Sequence, residues 1–254
     1  MTLLLKLVLA PLLVVGSSLA GRRWGPGVTG LLVAMPVVAG PILLITYLEH
    51  GAAFVARAAS ASLLGLVSLA AFAVVFARVS RARGWAGTLL VGWLVCLALD
   101  LALDLALSFG LVPVWVVLGL ALAAAWAGSR LLPEPGEAGP VTLPWWDLPA
   151  RAAATAGLVV ALTAAAGRLG PDLTGVLAPF PTGTSVVAVF AHAQGGPPAA
   201  AATVRGVLRG LGGFSAFCFL VAVLVEPIGG WAFVVAVAGT VVWQFADSCR
   251  SFGK

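Results

Sequence analysis

The sequence predicts an all-α, polytopic membrane protein of about nine transmembrane helices: two inverted four-helix repeats joined by one linker helix. Three observations carry that reading. The composition is apolar: 61% of the 254 residues are hydrophobic and 9% are charged, and mean hydropathy is +1.11. A soluble domain carries roughly 25% charged residues. Second, the chain repeats itself. The interrupted apolar run Val28 to Pro41 returns as Leu173 to Val186, with Thr29-Gly30 on Thr174-Gly175, Leu32 on Leu177 and Pro36 on Pro181. Third, the helix count between the two copies is odd, which sends the second copy through the bilayer in the opposite sense.

Taken in order, the first apolar run is Leu3 to Ala20. A cleaved signal peptide ending near Ser18-Leu19-Ala20 is the competing reading. The run has an internal counterpart, Leu148 to Ala165, with Lys6 on Arg151, so a retained helix is expected. The second run, Val28 to Leu48, is broken by Pro36, Gly40 and Pro41. The third is Ala52 to Ala77, the fourth Trp85 to Phe109 and the fifth Val112 to Leu131. A Pro/Gly-rich polar loop, Leu132 to Asp147, follows. Its Trp145-Trp146 pair reads as an interfacial anchor. The sixth run is Leu148 to Ala166, the seventh Leu173 to Ala193, the eighth Ala199 to Val225 and the ninth Ile228 to Phe245. The expected units are thus residues 1–110, a linker helix and loop over 111–147, and a second repeat over 148–254.

Without gaps, Arg23 to Ala77 aligns on Arg168 to Ala222 with about 15 of 55 positions identical. Gly51 falls on Gly196, Gly65-Leu66 on Gly210-Leu211, and Ala71-Phe72 on Ala216-Phe217. Charge counting sets the orientation. One side holds Arg22, Arg23, Arg78, Arg81, Arg83, Arg130, Arg151, Arg250 and Lys254; the other holds Lys6, Arg168, Glu49, Asp172 and Glu226. The first side is expected to be cytoplasmic, with the N-terminus outside and the C-terminus inside.

These residues support a resemblance. The second repeat resembles the GlpM family of small four-helix bacterial inner-membrane proteins. The likeness rests on Thr174 through Thr182, on His192 ten residues later, on the Gly195-Gly196 turn and on Arg151. It covers roughly Leu148 to Phe245, and the first repeat departs from it, with Ala34-Met35 for the Pro-Phe pair and Tyr47 for His192. The resemblance implies an inner-membrane, four-helix architecture and no particular activity.

The candidate functional residues start at the breaks: Pro36, Gly40 and Pro41 in one copy, Pro179, Pro181 and Gly183 in the other. A Pro inside a helix frees backbone carbonyls, which in lipid need a neighbour, a water or a ligand. Paired breaks point to a transporter site; a pair of tolerated structural kinks is the alternative. Arg205 and Arg209 lie four apart, on one helix face. Arg209 falls roughly 15 Å along its helix, where a buried polar role is expected. Arg205 is expected to snorkel to the headgroups, as is Arg57. Asp100 and Asp104 share a face and are read either as solvated near the outer interface or as a partner for Arg57 or proton-coupling carboxylates. His192 is read as an interfacial residue, with a titrating switch as the sharper alternative. Ala61-x-x-x-Gly65 and Gly206-x-x-x-Gly210 are expected to pack the third and eighth helices together.

No Walker loop, nucleophile elbow, HExxH or metal-spaced Cys/His cluster occurs in the sequence. No enzyme activity, cofactor or metal is therefore expected. The basic residues lie in short loops rather than one stripe, so no nucleic-acid partner is expected either. The expected partners are the lipid bilayer and a small anionic or lipid-linked substrate, with a homo-oligomer left open. The function expected is that of a secondary transporter or flippase-like carrier in the inner membrane. A non-transporting scaffold or accessory protein of envelope biosynthesis is the alternative.

Overall fold

A computed structural model describes residues 2–36, 39–108, 113–133, 144–169 and 180–252, and every regular element among them is an α-helix. In chain order these are α1 (Thr2–Trp24), α2 (Pro26–Val33), α3 (Ala39–His50), α4 (Ala52–Val79), α5 (Trp85–Ser108), α6 (Val114–Leu131), α7 (Asp147–Leu169), α8 (Thr182–Ile228) and α9 (Trp231–Phe252). Four of them contain apolar stretches long enough to cross a membrane: Ala52–Val79, Trp85–Leu103, Val114–Leu131 and Thr182–Ile228. Residues 134–143 of the polar loop and 170–179, including Pro179, lie outside the described residues, as do the side chains of Asp104, Lys6 and Arg168.

Glycine and proline divide the chain where the sequence says they should. Gly25, at φ 95°, precedes α2, and Pro26 opens it, a place where the missing N–H of proline costs nothing. Α2 stops at Val33 and α3 resumes at Ala39, so the second apolar run is two helices with Pro36 in the turn between them. Gly51 (φ 83°, ψ 177°) starts α4, and Gly196 (φ 69°, ψ −168°) breaks α8 into limbs of residues 182–195 and 197–228. Both sit in a backbone region open essentially to glycine alone. They are also the residues that fall on each other in the self-alignment. Gly51→Ala and Gly196→Ala should therefore each cost about 1–3 kcal/mol, read as similar losses of thermal stability in detergent.

Α4 and the second limb of α8 form the centre. Val55, Leu63, Phe72 and Phe76 of α4, with Val204, Val207, Leu211, Phe217, Val221 and Val225 of α8, are almost wholly buried. Α5 and α6 pack on α4, α2 and α9 on α8, and α1 joins α2 to α7. Rows of exposed apolar side chains remain on α5 (Leu90, Leu94, Leu101, Leu105) and α9 (Val234, Val237, Val241). Such faces suit lipid tails and would be a liability in water.

The tightest packing is between α2 and α8, and it corrects one expectation. A Cβ added at Gly30 would land on the Thr203 carbonyl oxygen, and one at Gly206 on the Gly27 carbonyl oxygen. One at Gly210 would lie 2.6 Å from Ala34 Cβ. Α4 and α8 do pack together, but the Gly206-x-x-x-Gly210 face is spent on α2. Small residues on both surfaces of that contact let the two backbones touch.

Each half also reaches the end of a long helix in the other. His192 of α8 sits edge-on to Phe76 at 6.1 Å, beside the Ser80 backbone at the end of α4. Tyr47 of α3, its counterpart in the self-alignment, packs on Phe233 at 6.0 Å and beside Gly229 at the end of α8.

Candidate functional site

Asp147 opens α7 and is fully buried. An acidic residue in the first helical turn complements the helix dipole, and Arg151 follows four residues later on the same face. Arg151 Nε donates to Asp147 Oδ1 at 2.9 Å, and Arg22 Nη2, from the last turn of α1, donates to Oδ2 at 3.0 Å. Gln194 Nε2, at the end of the first limb of α8, donates to Oδ1 at 2.7 Å.

The other two nitrogens of Arg151 are also engaged. Its Nη2 reaches Gln194 Oε1 at 3.0 Å, and its Nη1 reaches Ser18 Oγ at 3.4 Å. The guanidinium stacks 4.9 Å from the Phe190 ring centre. With 7% of its side chain exposed, Arg151 is a strut between α1, α7 and α8. Arg22 is different: its side chain is 32% exposed and one nitrogen holds Asp147. Two guanidinium groups and one carboxylate leave the cluster one positive charge in excess.

Burial alone would raise the Asp147 pKa. The hydrogen bonds from Gln194, Arg151 and Arg22, with the charge of Arg151, outweigh it and hold the carboxyl below the usual carboxylate range. Asp147 is therefore ionised at neutral pH.

Beside this cluster lies a cavity of about 280 Å³. Arg22, Asp147, Arg151, Gln194, Thr29 and Thr203 supply its polar wall. Three helices begin here: α2 at Pro26, α7 at Asp147 and the second limb of α8 just after Gly196. Their positive dipole ends favour an anion. Α1 and the first limb of α8 end here, and Arg22 and Arg23 offset the negative end of α1.

The residues singled out from the sequence lie elsewhere. Pro36 occupies the α2–α3 turn, Gly40 and Pro41 the first turn of α3, and Pro181 caps α8. Gly183 faces Val33 and Val14, so the two breaks approach each other, but none of these residues lines the cavity. Arg205 and Arg209 do share a face, and it is an outer one. Arg209 is exposed rather than buried, because Gly206, Val207, Gly210 and Leu211 turn inward around it. Arg205 is half-buried and donates through Nη2 to the Pro133 carbonyl at 2.9 Å. That carbonyl lies just past the end of α6, where Arg78 also binds the Leu131 carbonyl. Both cations meet the negative end of that helix.

Asp100 is 6% exposed, packed against α4 rather than solvated. Its neighbours are Cys96 and Ser68, not Arg57, which is exposed eleven residues from Ser68 on α4. His192 is buried, against Phe76 near the end of α4.

The sequence did carry a signal for the cluster that was found. An Asp and an Arg four apart at the start of an apolar run are rare in so weakly charged a chain. Nothing local linked them to Arg22 or Gln194, which lie 125 and 47 residues from Asp147. No protein-family model, curated protein or solved structure matches this chain.

Proposed function

We propose that this protein is a multi-pass carrier of a small anion, free or borne on a lipid-linked solute, in the bacterial inner (plasma) membrane. The observation that carries this reading is the cavity walled by Arg22, Asp147 and Arg151, with three helix starts around it and one positive charge in excess. Its volume lies near the lower end of the range for ligand pockets, roughly 300–1,000 Å³. A small anion or a single anionic headgroup fits that size; a whole lipid does not.

The proposed frame is nine spans in two inverted, GlpM-like repeats, N-terminus outside. The near-identical backbone of Gly51 and Gly196 supports it, as do the reciprocal contacts of Tyr47 and His192. The cavity then opens on the arginine-rich, cytoplasmic side.

Arg22 is the residue proposed to touch the anion, and Arg151 the one that positions Asp147 and Gln194. The test is uptake into proteoliposomes of phosphate, sulfate and short carboxylates, with lysophosphatidate movement between leaflets as the lipid arm. Arg22→Gln is expected to cut flux by about tenfold, equivalent to one charge-assisted contact of about 1.4 kcal/mol, while melting temperature changes little. Absence of flux for every anion in the wild type, with no anion-dependent rise in melting temperature, would sink the carrier reading. It would favour the membrane scaffold, for which the buried Arg151 strut, bonded through all three of its nitrogens, is the supporting observation.

A further inference from the structure

Asp100 lies about 22 Å along α5 from Trp85, at 1.5 Å per residue, inside one of the four membrane-length apolar stretches. The Cys96 thiol donates to its Oδ2 at 3.6 Å. Across the interface, the Ser68 hydroxyl of α4 lies near the same carboxyl without closing a hydrogen bond to it. Ser68 is itself fully buried and has no other partner among the described residues.

Among the described residues no cation stands within reach. On α4 the charged residues nearest Ser68 are Arg57 and Arg78, eleven and ten residues away, or about 15 Å or more along the helix. Α6, packed on α4, carries its arginine at its far end, Arg130. Α8 meets α5 through Trp93, whose indole donates to Ser185 Oγ at 2.9 Å. Its own basic side chains lie elsewhere: His192 is at Phe76, Arg205 at Pro133, and Arg209 is exposed. On α3, packed against α4, Glu49 and His50 are exposed at its end. The described residues form ion pairs to Asp147 and none to Asp100.

An ionised carboxylate in this place would be a buried charge with no countercharge, which is costly in protein or lipid. The neutral acid fits the local donor count. It carries one O–H, which the orphan Ser68 oxygen can accept, and it still accepts from Cys96. We propose that Asp100 is a proton-binding site, protonated while α5 is closed on α4 and deprotonated only when the two helices part. The Asp100–Cys96–Ser68 group would then couple a proton to α4–α5 packing. In a carrier this is the place where proton binding would drive a conformational step. The assignment does not rest on the anion site, and its test reads protonation rather than flux, so the two readings fail separately.

The measurement is infrared difference spectroscopy of the full chain in lipid across a pH sweep. The expected result is a protonated-carboxylic-acid carbonyl band at neutral pH, lost in Asp100→Asn and kept in Asp104→Asn. If Asp100→Asn does not fold, Asp100→Glu is expected to shift the band, since the acid moves by one methylene. Three outcomes would overturn the proposal: no such band in the wild type at neutral pH, a band that Asp100→Glu leaves in place, or a band that sodium removes at constant pH. The last would assign the group to a metal cation instead.

Discussion

Asp147→Ala is expected to destabilise the protein by about 3–5 kcal/mol, the cost of stranding one member of a buried ion pair. Asp147 accepts from Arg22, Arg151 and Gln194, and its side chain is fully buried. Without it, the Arg151 guanidinium keeps Ser18 and Gln194 but loses the carboxylate it pairs with. Thermal unfolding in detergent should show the loss. Replacing both partners, Asp147→Leu with Arg151→Leu, should recover much of it, because the penalty lies in the uncompensated charge. If the double variant is as unstable as the single one, the hydrogen bonds to α1 and α8 matter more than the charge.

The same group sets a pH dependence. Its folded carboxyl titrates below the usual range, so its stabilising contribution is present above the unfolded value of about 3.9. It is lost as the pH falls through the lowered folded value. Melting temperature should hold from neutral pH down to about pH 4 and then fall, and the acid-side fall attributable to this group should be absent in the double variant.

Gly206→Val is expected to abolish the folded state rather than weaken it. Overpacking a core normally costs about 1–3 kcal/mol because side chains yield. Here the added Cβ would strike the Gly27 carbonyl oxygen, and the neighbouring Leu31 amide nitrogen would lie 2.9 Å from it. Both obstacles are backbone, so α2 must leave α8. Since α2 also supplies Pro26 and Thr29 to the cavity, the anion site should go with it. Even Gly30→Ala meets the Thr203 carbonyl and should behave alike. Gly119→Ala in α6 is the control: nothing lies within 4 Å of its added Cβ. It should leave stability unchanged or raise it by up to about 1 kcal/mol. Monodisperse elution in detergent, compared across the three variants, reads the outcome; a well-folded Gly206→Val would show that α2 is not held where described.

What the sequence determined by itself was everything that depends on local chemistry and on composition. Apolar runs of span length must become helices where no water can satisfy the backbone, and α4, α5 and α6 start and stop within a few residues of their apolar runs. Pro36 had to end α2, because proline lacks the donor and crowds the preceding turn. Gly51 and Gly196 were legible as a pair from the alignment alone, and both take backbone angles that other residues avoid. Helix rotation and long-range partnership were a different matter. Arg209 was legible as four residues from Arg205, but which way their shared face pointed depended on Gly206 and Gly210 docking against α2. Asp100 looked like a residue near the outer interface until α4 closed over it. The site itself needed three distant segments: the junction of α1 and α2, the start of α7 and the turn at Gly196. A charge buried in an apolar chain is settled by whichever groups the tertiary fold brings to within about 3 Å of it. No spacing along the sequence encodes that Arg22 and Gln194 would be those groups for Asp147.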